Sequence, residues 1–309
     1  MQTRLVVVRH GETSWNKTGK MQGHIDVPLN ETGEWQAVRT GERLGHPDYE
    51  ELASAISLVV ASDLSRACRT AALVVDRLNA CRSRKGLEAL TVTTDARLRE
   101  THLGGWQGVS WAEAAASEPE LAVRWNRTDP EARPPGTGGE SFVARYGRVT
   151  DAITDVVARA GGGTALVVTH GGCLQDIARL CTGTPPGRTT RLRRPNAAIN
   201  VVAHTVAEDS PAGFCPAAAA AAAESAAEAS EPPPEAGQDR GVLCTEALVR
   251  LGGTWSIEEW GTADHLRGPP SGAVRAGEAA AGSHEEPAGG GATPAGHDDM
   301  PATPFDDAE

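Results

Sequence analysis

Short, unbroken apolar runs recur along the chain, and each stops abruptly at a polar cluster. Residues 5–8 (LVVV), 56–61 (ISLVVA) and 164–170 (TALVVTH) are too short for buried helices. They also lack the apolar–polar alternation of a half-buried strand, so they are predicted as buried strands of a parallel sheet. Residues 90–98 (LTVTTDARL) read as a further, weaker strand, and 196–206 and 247–260 are strand-like. Between these runs the period turns helical. Residues 30–45 open on Asn30, a plausible N-cap, and stop at Gly45. Helices are also expected over 62–80, over about 140–160, with Phe142, Val149, Ile153, Val156 and Val157 on one face, and over 171–183. Residues 111–127 read as short helices. Alternating strands and helices predict an α/β fold: a three-layer α/β/α sandwich around a largely parallel sheet.

Two segments do not fit this pattern. Residues 207–240, with their alanine run and "EPPPEAG", and residues 269–309, rich in Pro, Gly, Ala and acid, lack a core-forming pattern. Neither buries enough apolar surface to offset its ordering entropy, so both are predicted to be disordered. The expected domain is therefore 1–206 plus 241–268, with 207–240 as an insertion and 269–309 as a tail. The two segments carry −6 and −7 of a net charge of −12, so the remainder is nearly neutral. A nearly neutral core lacks the basic stripe of a nucleic-acid surface.

Six cysteines, at 68, 81, 173, 181, 215 and 244, show no C-x-x-C spacing, and no secretory signal supports a disulfide framework. No apolar run approaches the length of a membrane span. The chain opens directly on its first strand, so the expected location is cytoplasmic, with an organelle left open. Neither a nucleic-acid nor a membrane partner is expected, and a homodimer is left open as the assembly.

The strand ends carry the chemistry. In open parallel sheets ligands bind beyond the carboxyl ends of the strands. The first strand delivers Arg9 and His10, with Gly11 to give the turn backbone freedom and Asn16 close behind. The second delivers Arg66 on its following helix, the third leads to Glu100, and the fourth delivers His170 with Gly171 and Gly172. Two arginines and two histidines suit a phosphoryl dianion, and a helix opening on two glycines offers it backbone N–H groups. Glu100, the one acid among them, suits general acid–base work. Taken singly, each has a plainer reading: Arg66 paired with Asp63, Glu100 a surface charge, His170 a capped strand end.

The pieces "VVVRHGETSWN", "QGHIDVPLNETGEWQA", "ASDLSRACRTA", "LRETHLGGWQG", "GGES" and "VVTHGG" occur in this order across residues 5–172. Together they resemble the histidine phosphatase (phosphoglycerate mutase-like) superfamily, in the flavour of its plant-type phosphatases. A weaker likeness runs through "NAAINVV" to "WSIEEWGTADHL". The resemblance implies a phosphomonoesterase whose partner is a small phosphorylated metabolite and in which His10 becomes a phosphohistidine. Arg9, Asn16, Arg66 and His170 would hold the phosphoryl oxygens, and Glu100 would protonate the leaving oxygen and then activate water. Gln22, Gly23 and His24 would border the pocket, Gly171 would bind substrate, and no metal or cofactor is implied.

Mutase chemistry is the alternative. Against it, Thr101, His102 and Leu103 follow the acid, Trp111 stands near a mutase lysine's place, and "AVRWNRTDPEARPP" holds no Arg-Arg pair. A scaffolding module with protein phosphatase activity is the alternative of another class. Cys173 beside the phosphate turn reads as an inert buried thiol, His102 as structural, and Trp106, Trp111 and Trp125 as pocket wall or packing.

Overall fold

A computed structural model describes residues 1–188, 190–206 and 253–267. The expected insertion at 207–240, the start of the 247–260 strand and the tail at 269–309 lie outside these residues.

Six strands form one sheet: β1 (Gln2–Arg9), β2 (Ile56–Ala61), β3 (Val92–Thr94), β4 (Thr164–Thr169), β5 (Ile199–Thr205) and β6 (Thr254–Thr262). Their order is β3-β2-β4-β1-β5-β6. Pairings β1/β4, β2/β4 and β2/β3 are parallel, whereas β1/β5 and β5/β6 are antiparallel. The sheet is thus parallel through its first four members and mixed at the β6 edge. β3 has only three residues, because 95–98 turns into a short 3-10 helix capped by Asp95.

Two short helices, α1 (Ser14–Lys17) and α3 (Glu50–Ala55), lie in the connection from β1 to β2. Strand alternation divides the core. Val6 and Val8 of β1 and Leu166 and Val168 of β4 face α2 (Glu31–Leu44) and α4 (Ser65–Arg84). Leu5, Val7, Ala165 and Val167 face α7 (Phe142–Ala160) and α8 (Gly171–Thr182). Both faces of β1 are covered, which is why it reads as a continuous apolar run. Each such side chain stabilises the fold by roughly 1.5–3 kcal/mol on burial. A third cluster stands apart, around Trp106, Trp125 and Phe142, over α5 (Trp111–Ser117) and α6 (Pro119–Val123).

Helix ends follow local chemistry. Asn30 accepts from the Gly33 amide at 2.8 Å, Ser141 caps α7, and Gly161 and Gly183 stop α7 and α8 in the left-handed conformation. Gly11 matters for a different reason from the one expected. It lacks a positive φ; instead, a Cβ there would meet the Gly33 carbonyl at 2.3 Å. The turn after β1 and the first turn of α2 touch backbone to backbone.

Candidate active site

Strand register assembles the floor of the main cavity. Arg9 pairs with Thr169 across β1/β4, and the His10 amide donates to the Thr169 carbonyl at 2.9 Å. His10 and His170 therefore leave adjacent strands side by side, ring centroids 5.1 Å apart. On the other side of β4, Ala61 pairs with Val168, so Ser62 meets His170 and α4 starts with Arg66 over the same end. Arg9, His10, Asn16, Gln22, Gly23, Arg66, Glu100 and Gly171 all line one cavity of about 330 Å³. His170 does not line it; it lies wholly buried beneath.

His10 is 3 % exposed, and its Nδ1 lies 2.7 Å from the Gly11 carbonyl. A carbonyl only accepts, so Nδ1 carries the proton and Nε2 keeps its lone pair. Burial, with the charges of Arg66 and Arg9, holds His10 well below its ordinary 6.5, and the imidazole is neutral at neutral pH.

Arg66 is fully buried, yet each face of its guanidinium has a partner. Nη2 donates to the Gly23 carbonyl at 2.8 Å, Nη1 to Ile25 at 3.0 Å, and Nε to His170 Nδ1 at 3.3 Å. His170 therefore presents Nδ1 as an acceptor and donates Nε2–H to Ser62 Oγ at 2.8 Å. Burial and Arg66 keep it uncharged, well below its ordinary value. Asp63 does not pair with Arg66 but forms a two-pronged bridge to Arg99, at 2.6 and 2.7 Å. Arg9 donates Nη1 to the Arg194 carbonyl and packs against Gly171. Asn16 gives its Oδ1 to a capping box with Thr13, leaving its amide N–H groups for the cavity. Gln22 Oε1 is buried on the cavity wall with no hydrogen-bond partner among the described residues.

Among the described residues, Glu100 is the one carboxylate lining the cavity. Oε1 accepts from the Thr101 amide at 2.7 Å, and Oε2 from the Gly172 amide at 3.1 Å. Burial pushes its pKa up, but Arg145, those two amides and Arg66 together outweigh burial and hold it at about 2. A Cβ on residue 172 would meet Glu100 Oε1 at 2.2 Å, so a side chain there would displace the carboxylate from its amides. One of the amides expected for a ligand at the start of α8 thus serves the protein's own carboxylate. Behind it, Arg148 donates to the carbonyls of Arg97, Arg99 and Glu100 and to the Glu140 carboxylate.

The cavity wall is aromatic. Trp15, Trp111, Trp125 and Phe142 line it. Trp106 packs behind, 5.5 Å from Trp125, and Trp125 stacks on Phe142 at 4.6 Å. Two arginines that the sequence reading missed also line the cavity, Arg145 and Arg194. Arg145 comes from α7, where its helical position carried no signal; it binds Asp176 at 2.6 Å and Thr101 Oγ1 at 2.6 Å. Arg194 comes from a loop without a periodic pattern. Both come from outside residues 101–134, a stretch that holds no Arg-Arg pair.

Other expectations resolve plainly. His24 does not line the cavity; it donates Nε2–H to the Glu100 carbonyl at 2.7 Å and sits at about 4 because of burial. His102 accepts the Gly104 amide at 3.1 Å. Cys173 is fully buried, burial pushes its thiol up to about 12, and it is inert.

A neutral, tautomer-fixed imidazole facing a cavity lined with arginines is equipped to accept a phosphoryl group, which places the molecule among phosphoryl-transfer enzymes. Comparison with known proteins agrees. Residues 5–210 match the model of the histidine phosphatase superfamily (branch 1). The chain is 42 % identical over 175 residues to phosphoglycerate mutase-like protein 4 of Arabidopsis thaliana, covering 56 % of this chain and 68 % of that protein. It is 38 % identical over 201 residues to the metal-independent phosphoserine phosphatase of the same plant (65 % and 76 %). With glucosyl-3-phosphoglycerate phosphatase of Mycolicibacterium vanbaalenii it shares 33 % over 220 residues (68 % and 89 %). The native structure of a mycobacterial glucosyl-3-phosphoglycerate phosphatase superimposes with a TM-score of 0.58 at 26 % identity, covering 85 % of this chain and all of that one. The chain belongs to the histidine phosphatase superfamily. It is a hydrolase of phosphomonoesters.

Proposed function

We propose that the protein hydrolyses a small acidic phosphomonoester with a bulky alcohol portion, through a phosphohistidine at His10. The observation that carries the chemistry is the Nδ1–H bond from His10 to Gly11, which leaves Nε2 as the attacking atom. Arg9, Arg66 and the Asn16 amide bind the phosphoryl oxygens and stabilise the charge that develops on them during transfer. His170 acts through Arg66, holding its Nε, and is a positioning residue in this geometry.

Glu100 is the acid and then the base. Its contacts keep it ionised, so it needs a proton before it can protonate a leaving alkoxide. A bound phosphoryl dianion sets like charge beside the carboxylate and raises its pKa, so the proton enters with the substrate. Nε2 attacks phosphorus, the P–O bond to the alcohol breaks, and Glu100 delivers the proton to the departing oxygen. Water, deprotonated by the regenerated carboxylate, then attacks the phosphohistidine and releases phosphate and His10.

For the substrate, two of the relatives named above are phosphatases of phosphoserine and of glucosyl-3-phosphoglycerate. A phosphate with a three-carbon acid fills only part of a 330 Å³ cavity. The aromatic wall suits the C–H face of a ring, and Arg194 and Lys20 suit a carboxylate. The larger, ring-bearing ester is therefore favoured. Phosphate release from glucosyl-3-phosphoglycerate, phosphoserine and 3-phosphoglycerate tests this reading. The highest kcat/KM is expected for the glucosylated ester, and a preference for phosphoserine overturns it.

A further inference from the structure

The closing "WGTADHL" stretch is a part of the chain that the chemistry above leaves without a role. It ends against the back of the nucleophile. His265 Nε2 lies 3.1 Å from the hydroxyl of Thr40, a fully buried residue of α2. Two carbonyls stand within reach of that hydroxyl, Ala197 at 2.7 Å and Gln36, one turn back on α2, at 3.0 Å, and the shorter contact is with Ala197. A hydroxyl has one proton, and the carbonyl can only accept it. Nε2–H of His265 is therefore the donor to Thr40 Oγ1, and Nδ1 is left buried with no hydrogen-bond partner among the described residues.

Ala197 is one of two non-glycine residues in the left-handed region among the described residues, at φ 56°. Such a conformation persists only where the surroundings over-determine it, and it marks a place to look for function. Here it turns two donors onto one carbonyl. The Ala197 amide reaches the carbonyls of Arg9 (3.1 Å) and His10 (3.3 Å), and Asn196 Nδ2 reaches His10 at 2.9 Å. The same peptide is held from its other end, where the Gly11 amide donates to Thr70 Oγ1 at 3.0 Å. The peptide joining His10 to Gly11 is thus clamped on both sides, and the imidazole is locked to the next carbonyl along.

We propose that His265 and Thr40 are a positioning pair for His10: they hold the 196–197 turn in its left-handed form, and that turn fixes the nucleophile's backbone. Neither residue touches the substrate. The pair acts on the attack geometry, where a displacement of an ångström costs about a hundredfold in rate, and leaves phosphate binding by Arg9 and Arg66 alone. The inference rests on His10 being the phosphoryl acceptor.

Four single variants and one double test it. Thr40→Val and His265→Leu remove the polar link at nearly constant shape, whereas Thr40→Ser and His265→Gln keep a donor. Formation of phosphohistidine is followed by rapid quench at saturating p-nitrophenyl phosphate, normalised to folded protein, alongside KM and melting temperature. The Val and Leu variants are expected to slow the burst about tenfold or more with KM within about twofold. Ser and Gln should return to within about threefold, and the Val/Leu double variant should be no slower than its slower parent, since one link is lost once. A loss confined to melting temperature or to KM, additive losses in the double variant, or no recovery with Ser and Gln overturns the pair. His10→Ala separates the two readings: a burst that survives it removes the nucleophile assignment itself, and the pair's role with it.

Discussion

The floor and the wall of the cavity are built on different principles. On the floor, polar side chains are tied to backbone or to one another: His10 to Gly11, Arg66 to Gly23 and Ile25, Glu100 to the amides of Thr101 and Gly172. These ties come from strand ends whose spacing the sheet fixes. The wall, from α5 and α6 to Phe142, is held by ring contacts such as Trp106–Trp111 at 5.8 Å and Trp111–Trp125 at 5.9 Å. The apolar burial that holds the rings together is non-directional and tolerates re-shaping better than a carboxylate fixed between two amides. The floor should therefore determine which bond breaks, and the wall which alcohol is accepted.

The sharpest way to break that division is His10→Ala. Turnover of every ester should fall to background, and acid quench of the parent enzyme should trap an acid-labile phosphohistidine. An acid-stable phosphoserine would end the assignment. Next comes Glu100→Gln. An alkoxide needs a proton to leave and a nitrophenolate does not, so the burst with a sugar or glycerate ester should drop about a hundred- to ten-thousand-fold. The burst with p-nitrophenyl phosphate should change little; equal slowing would remove Glu100 as the acid.

The ionisation of the floor gives a third test. Burial holds His10 well below 6.5, so its neutral form persists as pH falls and is lost only below that value. The burst with p-nitrophenyl phosphate should stay level from neutral pH down through 6.5, and a fall centred at that ordinary imidazole value contradicts it. Glu100, at about 2 before ligand binds, should gain about one proton when phosphate enters. Calorimetry in two buffers of different ionisation enthalpy reads that uptake, and zero uptake contradicts it.

Changes to the wall should be gentler. Trp111→Ala is expected to raise KM for glucosyl-3-phosphoglycerate about tenfold, a loss of about 1.4 kcal/mol of contact. Its phosphohistidine burst at saturation should be unchanged. A fall in that rate would show that the wall also aligns the reacting phosphate. Smallest of all should be the replacement of 207–240 by a short turn together with removal of 269–309, since loop length costs little entropy. Activity should be retained and the melting temperature unchanged; a shift of several degrees means that one segment packs on the domain.

Much of the floor was readable because each residue follows an apolar run that can be nothing but a buried strand: Arg9 and His10 after LVVV, His170 after ALVVT. What the runs do not encode is strand order. That β1 lies beside β4, with Arg9 opposite Thr169, depends on pairing across the whole chain. The contacts of single atoms were equally hidden. Gly11 was expected for a turn and serves the approach of α2; Gly172 was expected for a ligand and receives Glu100. Asp63, close in sequence to Arg66, pairs with Arg99 instead. Arg145 shares a helix with apolar residues and differs from a surface arginine only once Asp176 is seen opposite it.

The pairing of β1 with β4 has a kinetic consequence. β1 leaves the ribosome well before β4, which comes from the second half of the described chain, so His10 and His170 cannot meet while the chain is only locally organised. Helices form within a microsecond or so, and contacts between distant strands form last and slowly. Recovery of phosphatase activity during refolding is thus a clock for closure of the sheet's centre, and it should run behind the return of helical signal.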